Sequence, residues 1–244
     1  MQLEQLPAGH GTLTAVVTGR GRDLVVLHSL LADRHAFDPV LDKLAEKHRV
    51  TLINLPGFDG SVPTPLALMD AYIAAIEDGY QEFGIGGDSI RIGNGGGGTV
   101  ALAFALAHPD RVAKLFVFGA NYNSEGSKPR SGRPSDTFNA YAAKCRADYA
   151  KLSKTPKEFN ELVDWLLPVW RTPMGFTKDQ LRALEAPTLV ADGDHDEVIV
   201  PDQIREMATL IPNAQLAVIP DTSHFALWQA PEAFNKALLD FLAK

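Results

Sequence analysis

Five glycines crowd into six residues, Gly93-Asn94-Gly95-Gly96-Gly97-Gly98, between the strand-like run Ile90-Arg91-Ile92 and the apolar stretch from Val100 to Ala107. Glycine near a helix start costs about 0.5–1 kcal/mol per residue relative to alanine, so a cluster there marks a backbone that needs positive φ or very close packing. A sharp turn from a strand into a buried helix needs both. A phosphate-binding loop would carry Lys-Ser or Lys-Thr after its glycines, and a dinucleotide fold would place them after the first strand of its sheet. The chain does neither, and nucleotide binding is discounted.

Around this elbow, short β-branched runs alternate with helical stretches, the pattern of β-α-β units around a mostly parallel sheet. Strands are expected at Leu13–Val17, Leu24–Leu27, Val50–Leu55, Ile90–Ile92, Val112–Phe118, Thr188–Val190 and Leu216–Val218, the first two as a hairpin feeding the sheet. Ala36, Phe37, Val40, Leu41 and Leu44 recur at helical spacing. Further helices are expected over 66–83, 100–107, 201–210 and 230–242. The helix over 100–107 is apolar on nearly every side and must be buried. Residues 121–185 break the rhythm: Asn121 to Ser135 reads as a mobile loop, and Thr137 to Trp170 as two or three helices without strands. The reading is a single α/β domain over 1–244, with 121–185 as an insertion within it.

Composition narrows the partners. A net charge of −7 argues against nucleic acid, because phosphate binding depends on clustered Lys and Arg. From Tyr122 to Glu158, eight Lys or Arg face four Asp or Glu, a local excess read first as a solvated helix face. No apolar run is long enough to cross a bilayer. The segment Met1-Gln2-Leu3-Glu4-Gln5 lacks the basic and apolar regions of a secretory leader, so a cytoplasmic location is expected. The lone Cys145 reads as a bystander thiol. His195 between Asp194 and Asp196 reads as a solvated loop, since adjacent residues rarely converge on one ion. Neither a metal nor an organic cofactor is implied.

Two later segments carry an acid and a histidine: Ala191-Asp192-Gly193-Asp194-His195-Asp196 follows one strand, and Pro220-Asp221-Thr222-Ser223-His224-Phe225 the next. Successive strand ends of a parallel sheet can bring such groups together at the carboxyl edge. The chain order of elbow, acid and histidine fits one common hydrolytic arrangement, in which the elbow reads G-x-S-x-G.

At this point the chain resembles the alpha/beta-hydrolase superfamily. Leu27-His28-Ser29-Leu30 is similar to its His-Gly oxyanion segment, and Asn54-Leu55-Pro56-Gly57-Phe58-Asp59-Gly60-Ser61 to its D-x-P-G-x-G-x-S turn. Gly97 to Leu102 with His108-Pro109-Asp110-Arg111-Val112 resembles the elbow helix. The resemblance implies a small helical cap over 121–185 and a small carbonyl substrate, an ester or lactone. Carried over by position, it puts Gly95 in the nucleophile slot, Asp196 as the acid with Asp194 a weaker candidate, and His224 as the base. The main-chain N–H groups of Leu30 and Gly96 fall on the oxyanion hole. His28 would shape the oxyanion loop. Phe138, Tyr141, Trp165, Leu166 and Trp170 are candidates for the pocket wall or the core of the cap.

Two positions depart from the family pattern: Ser29 stands where glycine is usual, and Gly95 where serine is. Loss of a serine nucleophile costs roughly a million-fold in turnover, or about 8 kcal/mol. No substitute nucleophile is apparent: Ser29 lies on the oxyanion segment, Thr99 a turn further along the helix, Cys145 in the insertion. Three readings stay open. Gly95 is an inactivating replacement in a serine hydrolase; or His224 and Asp196 activate a water or abstract a substrate proton without a serine; or the chain is a binding module that no longer turns over substrate.

Overall fold

The computed structural model describes residues 2–8, 11–55, 58, 83–86, 88–129, 133–171 and 175–244. Its centre is an eight-stranded sheet: β1 (Gln2–Ala8), β2 (Gly11–Thr18), β3 (Arg22–Leu27), β4 (His48–Asn54), β5 (Ser89–Asn94), β6 (Val112–Phe118), β7 (Thr188–Gly193) and β8 (Ala214–Ile219). The strand order is β1-β2-β4-β3-β5-β6-β7-β8. From β4 to β8 every pairing is parallel, and β1 and β2 add an antiparallel edge.

The period of two along each strand sorts side chains onto two faces, both covered by helices. Val25, Leu27, Ile53, Val117 and Val190 meet α2 (Gly96–Ala107) and α6 (Pro201–Leu210) in one core. Leu24, Val26, Val50, Leu52, Ile92, Phe116 and Phe118 meet α1 (Asp38–Ala45) and α7 (Pro231–Ala243) in the other. Helix α2 is buried from Gly97 to Ala105, as its uniformly apolar sequence requires.

The expected hairpin differs. β2 pairs with β1 and with β4, and β3 lies on the far side of β4. Turn residues at 19–22 suggested a local pairing, but the buried parallel β3–β4 ladder takes the position beside β4. The helix expected over 66–83 lies almost entirely outside the described residues.

Between β6 and β7 run α3 (Asp136–Leu152), α4 (Phe159–Arg171) and α5 (Lys178–Arg182), and the sheet takes no strand from this stretch among the described residues. The segment from Asn121 to Lys128 is held down, in contrast to the mobile loop expected there. Gln203 accepts from Tyr122 N–H at 3.1 Å and donates to Asn123 Oδ1 at 2.6 Å. Val200 N–H donates to Gly126 O, and Lys128 N–H to Val198 O, each at 2.8 Å. Residues 130–132 of this stretch are outside the described residues.

Candidate active site

Strand register brings the sequence-predicted residues to one place. Leu27 pairs with Gly93, Asn94 with Phe118, Phe118 with Ala191, and Gly193 with Ile219. The carboxyl ends of β3, β5, β6, β7 and β8 thus form one rim, at the point where strand order reverses about β3. Open parallel sheets place their sites there.

The elbow is built from contacts only glycine permits. A β-carbon on Gly93 would lie 2.3 Å from Gly97 O, and one on Gly97 would lie 2.4 Å from His28 O. Gly95 turns the chain with φ 56° and ψ −124° and starts α2. Leu30 packs directly on Gly96, where a β-carbon would fall 2.1 Å from Leu30 Cγ. The two residues assigned to the oxyanion hole are therefore side by side. Gly96 opens α2, so its N–H has no helical carbonyl to pair with.

His28 is fully buried. Leu55 N–H donates to its Nε2 at 2.9 Å, which leaves Nδ1 to donate to Ser29 O at 2.8 Å. Both ring nitrogens are engaged in holding the loop, as the sequence suggested.

His224 and Asp196 meet with Nδ1 donating to Oδ2 at 2.7 Å, both residues buried. Asp196 Oδ1 accepts from Val198 N–H at 2.5 Å and Ile199 N–H at 2.7 Å. Burial pushes this carboxyl up, but attraction to His224, its hydrogen bond and the N–H groups overcome that and hold it at about 2. Burial opposes charge on His224, yet the Asp196 carboxylate outweighs it and raises the imidazole above its usual value. Engagement of Nδ1 leaves Nε2 as the free nitrogen, 3.2 Å from where a β-carbon on Gly95 would lie. Such a pair can take a proton from a group above Gly95.

Asp194 is not part of this arrangement; it accepts from Thr222 N–H at 3.2 Å and is exposed. Two residues the sequence reading passed over are. Gly119, with φ 57°, leaves room for the imidazole, since a β-carbon there would lie 2.8 Å from His224 Cε1. Asp192 is buried beside Asp196, its Oδ1 accepting from Gly193 N–H at 2.9 Å. Burial first, then repulsion from Asp196, push its carboxyl up to about 10, which favours its neutral form. Its place inside a strand flanked by apolar residues was the available signal. Asp192, Asp196 and His224 bring ligand atoms within 4.8 Å of one another, but Asp196 already spends both oxygens on N–H donors, so the cluster reads as a proton-sharing network.

Of the expected lining residues, Tyr141 and Leu166 are buried and Phe138 and Trp165 pack against the same core; the Trp170 side chain is outside the described residues. Tyr141 stacks on Phe225 with centroids 4.1 Å apart, and Phe225 meets the His224 ring edge-on at 5.4 Å. Helix α3 therefore reaches the histidine through Phe225.

The alpha/beta hydrolase family model matches residues 24–237. The chain belongs to the alpha/beta hydrolase family. A 2-hydroxy-6-oxononadienedioate/2-hydroxy-6-oxononatrienedioate hydrolase of Cupriavidus pinatubonensis is 29% identical over 225 residues, which cover 82% of this chain and 78% of the relative. A 2-hydroxy-6-oxo-6-phenylhexa-2,4-dienoate hydrolase of Burkholderia cepacia is 26% identical over 233 residues, covering 82% and 79%. Among solved structures, a serine-to-alanine mutant of the meta-cleavage product hydrolase CumD from Pseudomonas fluorescens IP01 superposes with TM-score 0.81 at 19% identity, over 98% of this chain and 97% of that one. A serine-to-glycine mutant of the N-acyl homoserine lactonase AidH, complexed with N-hexanoyl homoserine lactone, gives 0.74 at 21% identity over 99% and 97%. These two likenesses show the fold. The curated relatives are hydrolases, and among the described residues of this alpha/beta hydrolase no helix is long and apolar enough to cross a membrane.

Proposed function

We propose that this alpha/beta hydrolase acts on a small carbonyl compound, an ester or lactone, through His224 and Asp196 without a serine at the elbow. In this reading 1–244 is one domain and 121–185 its cap. The observation that carries it is the buried His224–Asp196 bond, with Nε2 aimed at the space above Gly95. His224 Nε2 takes a proton from water as the water oxygen attacks the carbonyl carbon. The carbonyl oxygen gains charge against the N–H groups of Leu30 and Gly96, and the departing alkoxide takes the proton back from Nε2. The substrates named for the relatives share the required feature, an electrophilic oxo carbon.

The test is turnover of p-nitrophenyl butyrate, N-hexanoyl homoserine lactone and 2-hydroxy-6-oxo-6-phenylhexa-2,4-dienoate by the wild-type chain and by His224→Ala and Gly95→Ser. Wild-type turnover is expected on an ester or lactone, with His224→Ala about a hundredfold slower, the usual minimum for a positioned base. Because the base must be neutral, kcat/KM should rise with pH through an apparent pKa above the ordinary 6.5 of histidine. Turnover by Gly95→Ser alone favours a second reading, a serine hydrolase disabled at its nucleophile; the intact Asp196–His224 pair supports that reading as well. Silence from all three returns the chain to the binding-module reading.

A further inference from the structure

Ser29 and Gly95, the two departures from the family pattern, meet in space. A β-carbon on Gly95 would lie 2.7 Å from Ser29 Oγ and 3.2 Å from His224 Nε2. The hydroxyl and the imidazole thus both border the same point, and no hydrogen bond joins them among the described residues. Ser29 is buried, and its hydroxyl has no hydrogen-bond partner among the described residues. Its backbone is fixed: Ser29 O accepts from His28 Nδ1 at 2.8 Å and from Ala32 N–H at 3.1 Å. An unused hydroxyl on a held backbone, facing the free nitrogen of a base, is built to share a third group with it.

We propose that Ser29 is a catalytic residue that holds the hydrolytic water. The inference rests on the reading of His224 as base to a water. The water lies farther from Gly95 Cα than a bonded carbon would, where the hydroxyl oxygen of an elbow serine would reach. One of its protons points to His224 Nε2 and the other to Ser29 Oγ, which accepts. This leaves an oxygen lone pair directed at the substrate carbonyl. As the C–O bond forms, His224 takes the first proton, the carbonyl electrons move to the oxygen facing Leu30 and Gly96, and collapse expels the alkoxide, which recovers that proton. The Ser29 hydroxyl keeps its own proton throughout, and no covalent enzyme intermediate forms. A nucleophilic Ser29 would instead need a hydrogen bond to His224, and none joins the two among the described residues.

The experiment compares the wild-type chain, Ser29→Ala and His224→Ala on the ester or lactone turned over, together with fluorophosphonate treatment and intact-mass measurement. Removal of one neutral hydrogen bond to the reacting water is expected to lower kcat about tenfold or more. KM should stay within a factor of about two and the thermal midpoint unchanged, and the wild-type chain should take no fluorophosphonate adduct. Wild-type kcat in Ser29→Ala, with His224→Ala still about a hundredfold slower, overturns the role of Ser29 and leaves the water-activating base standing. An adduct on Ser29 overturns the proposal in favour of a relocated nucleophile. An inactive wild-type chain removes the reading of His224 itself and this inference with it.

Discussion

Gly95 sits at φ 56°, ψ −124°, a conformation that strains any residue with a side chain and that an elbow serine holds only because its surroundings impose it. Putting the serine back meets an obstacle: its β-carbon would lie 2.7 Å from Ser29 Oγ, so Ser29 must turn its hydroxyl aside. The two positions are therefore coupled. Gly95→Ser should react slowly with a fluorophosphonate, and the double variant Ser29→Gly/Gly95→Ser should react several-fold faster, with the adduct on residue 95. Equal labelling rates would show that Ser29 yields freely. Asp192 allows a separate test through stability. Burial and the neighbouring Asp196 push its carboxyl far above the ordinary carboxylate range, so at pH values between the ordinary and the raised pKa the native state keeps a proton that the unfolded chain releases. Its contribution to stability is fully present below the unfolded value and is lost as pH rises toward the folded one, at up to about 1.4 kcal/mol per pH unit. Asp192→Asn should flatten this fall when urea unfolding is measured at pH 5.5 and pH 8.5. An unchanged slope would mean that Asp192 is ionised in the native state.

At the scale of elements, the glycines are not equivalent. A β-carbon on Gly97 would lie 2.4 Å from His28 O and 2.5 Å from Leu27 O, both backbone atoms of the neighbouring strand and loop, so α2 and β3 would have to part. A β-carbon on Gly98 would lie 3.1 Å from Ala120 Cβ and from Gly93 O and 3.2 Å from Phe118 O, contacts that a shift of a few tenths of an ångström relieves. Gly97→Ala should therefore cost about 3 kcal/mol in urea unfolding, at the upper end for overpacking, and Gly98→Ala within about 1 kcal/mol. Equal losses would deny that the α2–β3 contact sets the elbow. The need for glycine was legible in the sequence because five in six residues have no helical rationale, and β3 to β7 were legible because doubly buried strands are apolar runs. β1 was not: Gln2-Leu3-Glu4-Gln5-Leu6-Pro7 carries little β-branched character, and its place follows from pairing with β2. Gly119 was also hidden, since a glycine that makes room for a ring is defined only by what distant segments bring beside it, whereas Asp192 could have been picked out as an acid within an apolar strand.

Across the whole molecule, the parallel sheet gathers the carboxyl ends of β3 and of β5 to β8 onto one rim, and α3, between β6 and β7, reaches it through an aromatic stack. Tyr141 of α3 stacks on Phe225 at 4.1 Å and 19°, and also meets Trp228 at 5.7 Å. Phe225 follows His224 directly and touches its ring, so the stack connects the insertion to the orientation of the imidazole. If it does no more than bury surface, Tyr141→Ala should cost about 3 kcal/mol of stability, as for a truncated core aromatic, with kcat unchanged. If it holds the histidine in line with Asp196 and Ser29, the same variant should also lower kcat about tenfold at a temperature where it remains folded, while Tyr141→Phe keeps the stack and the rate. We expect the second result, because burial of His224 depends on Phe225 being held against it. An intact kcat in the destabilised Tyr141→Ala variant would confine the insertion to packing and leave the orientation of the base to Asp196 and Gly119.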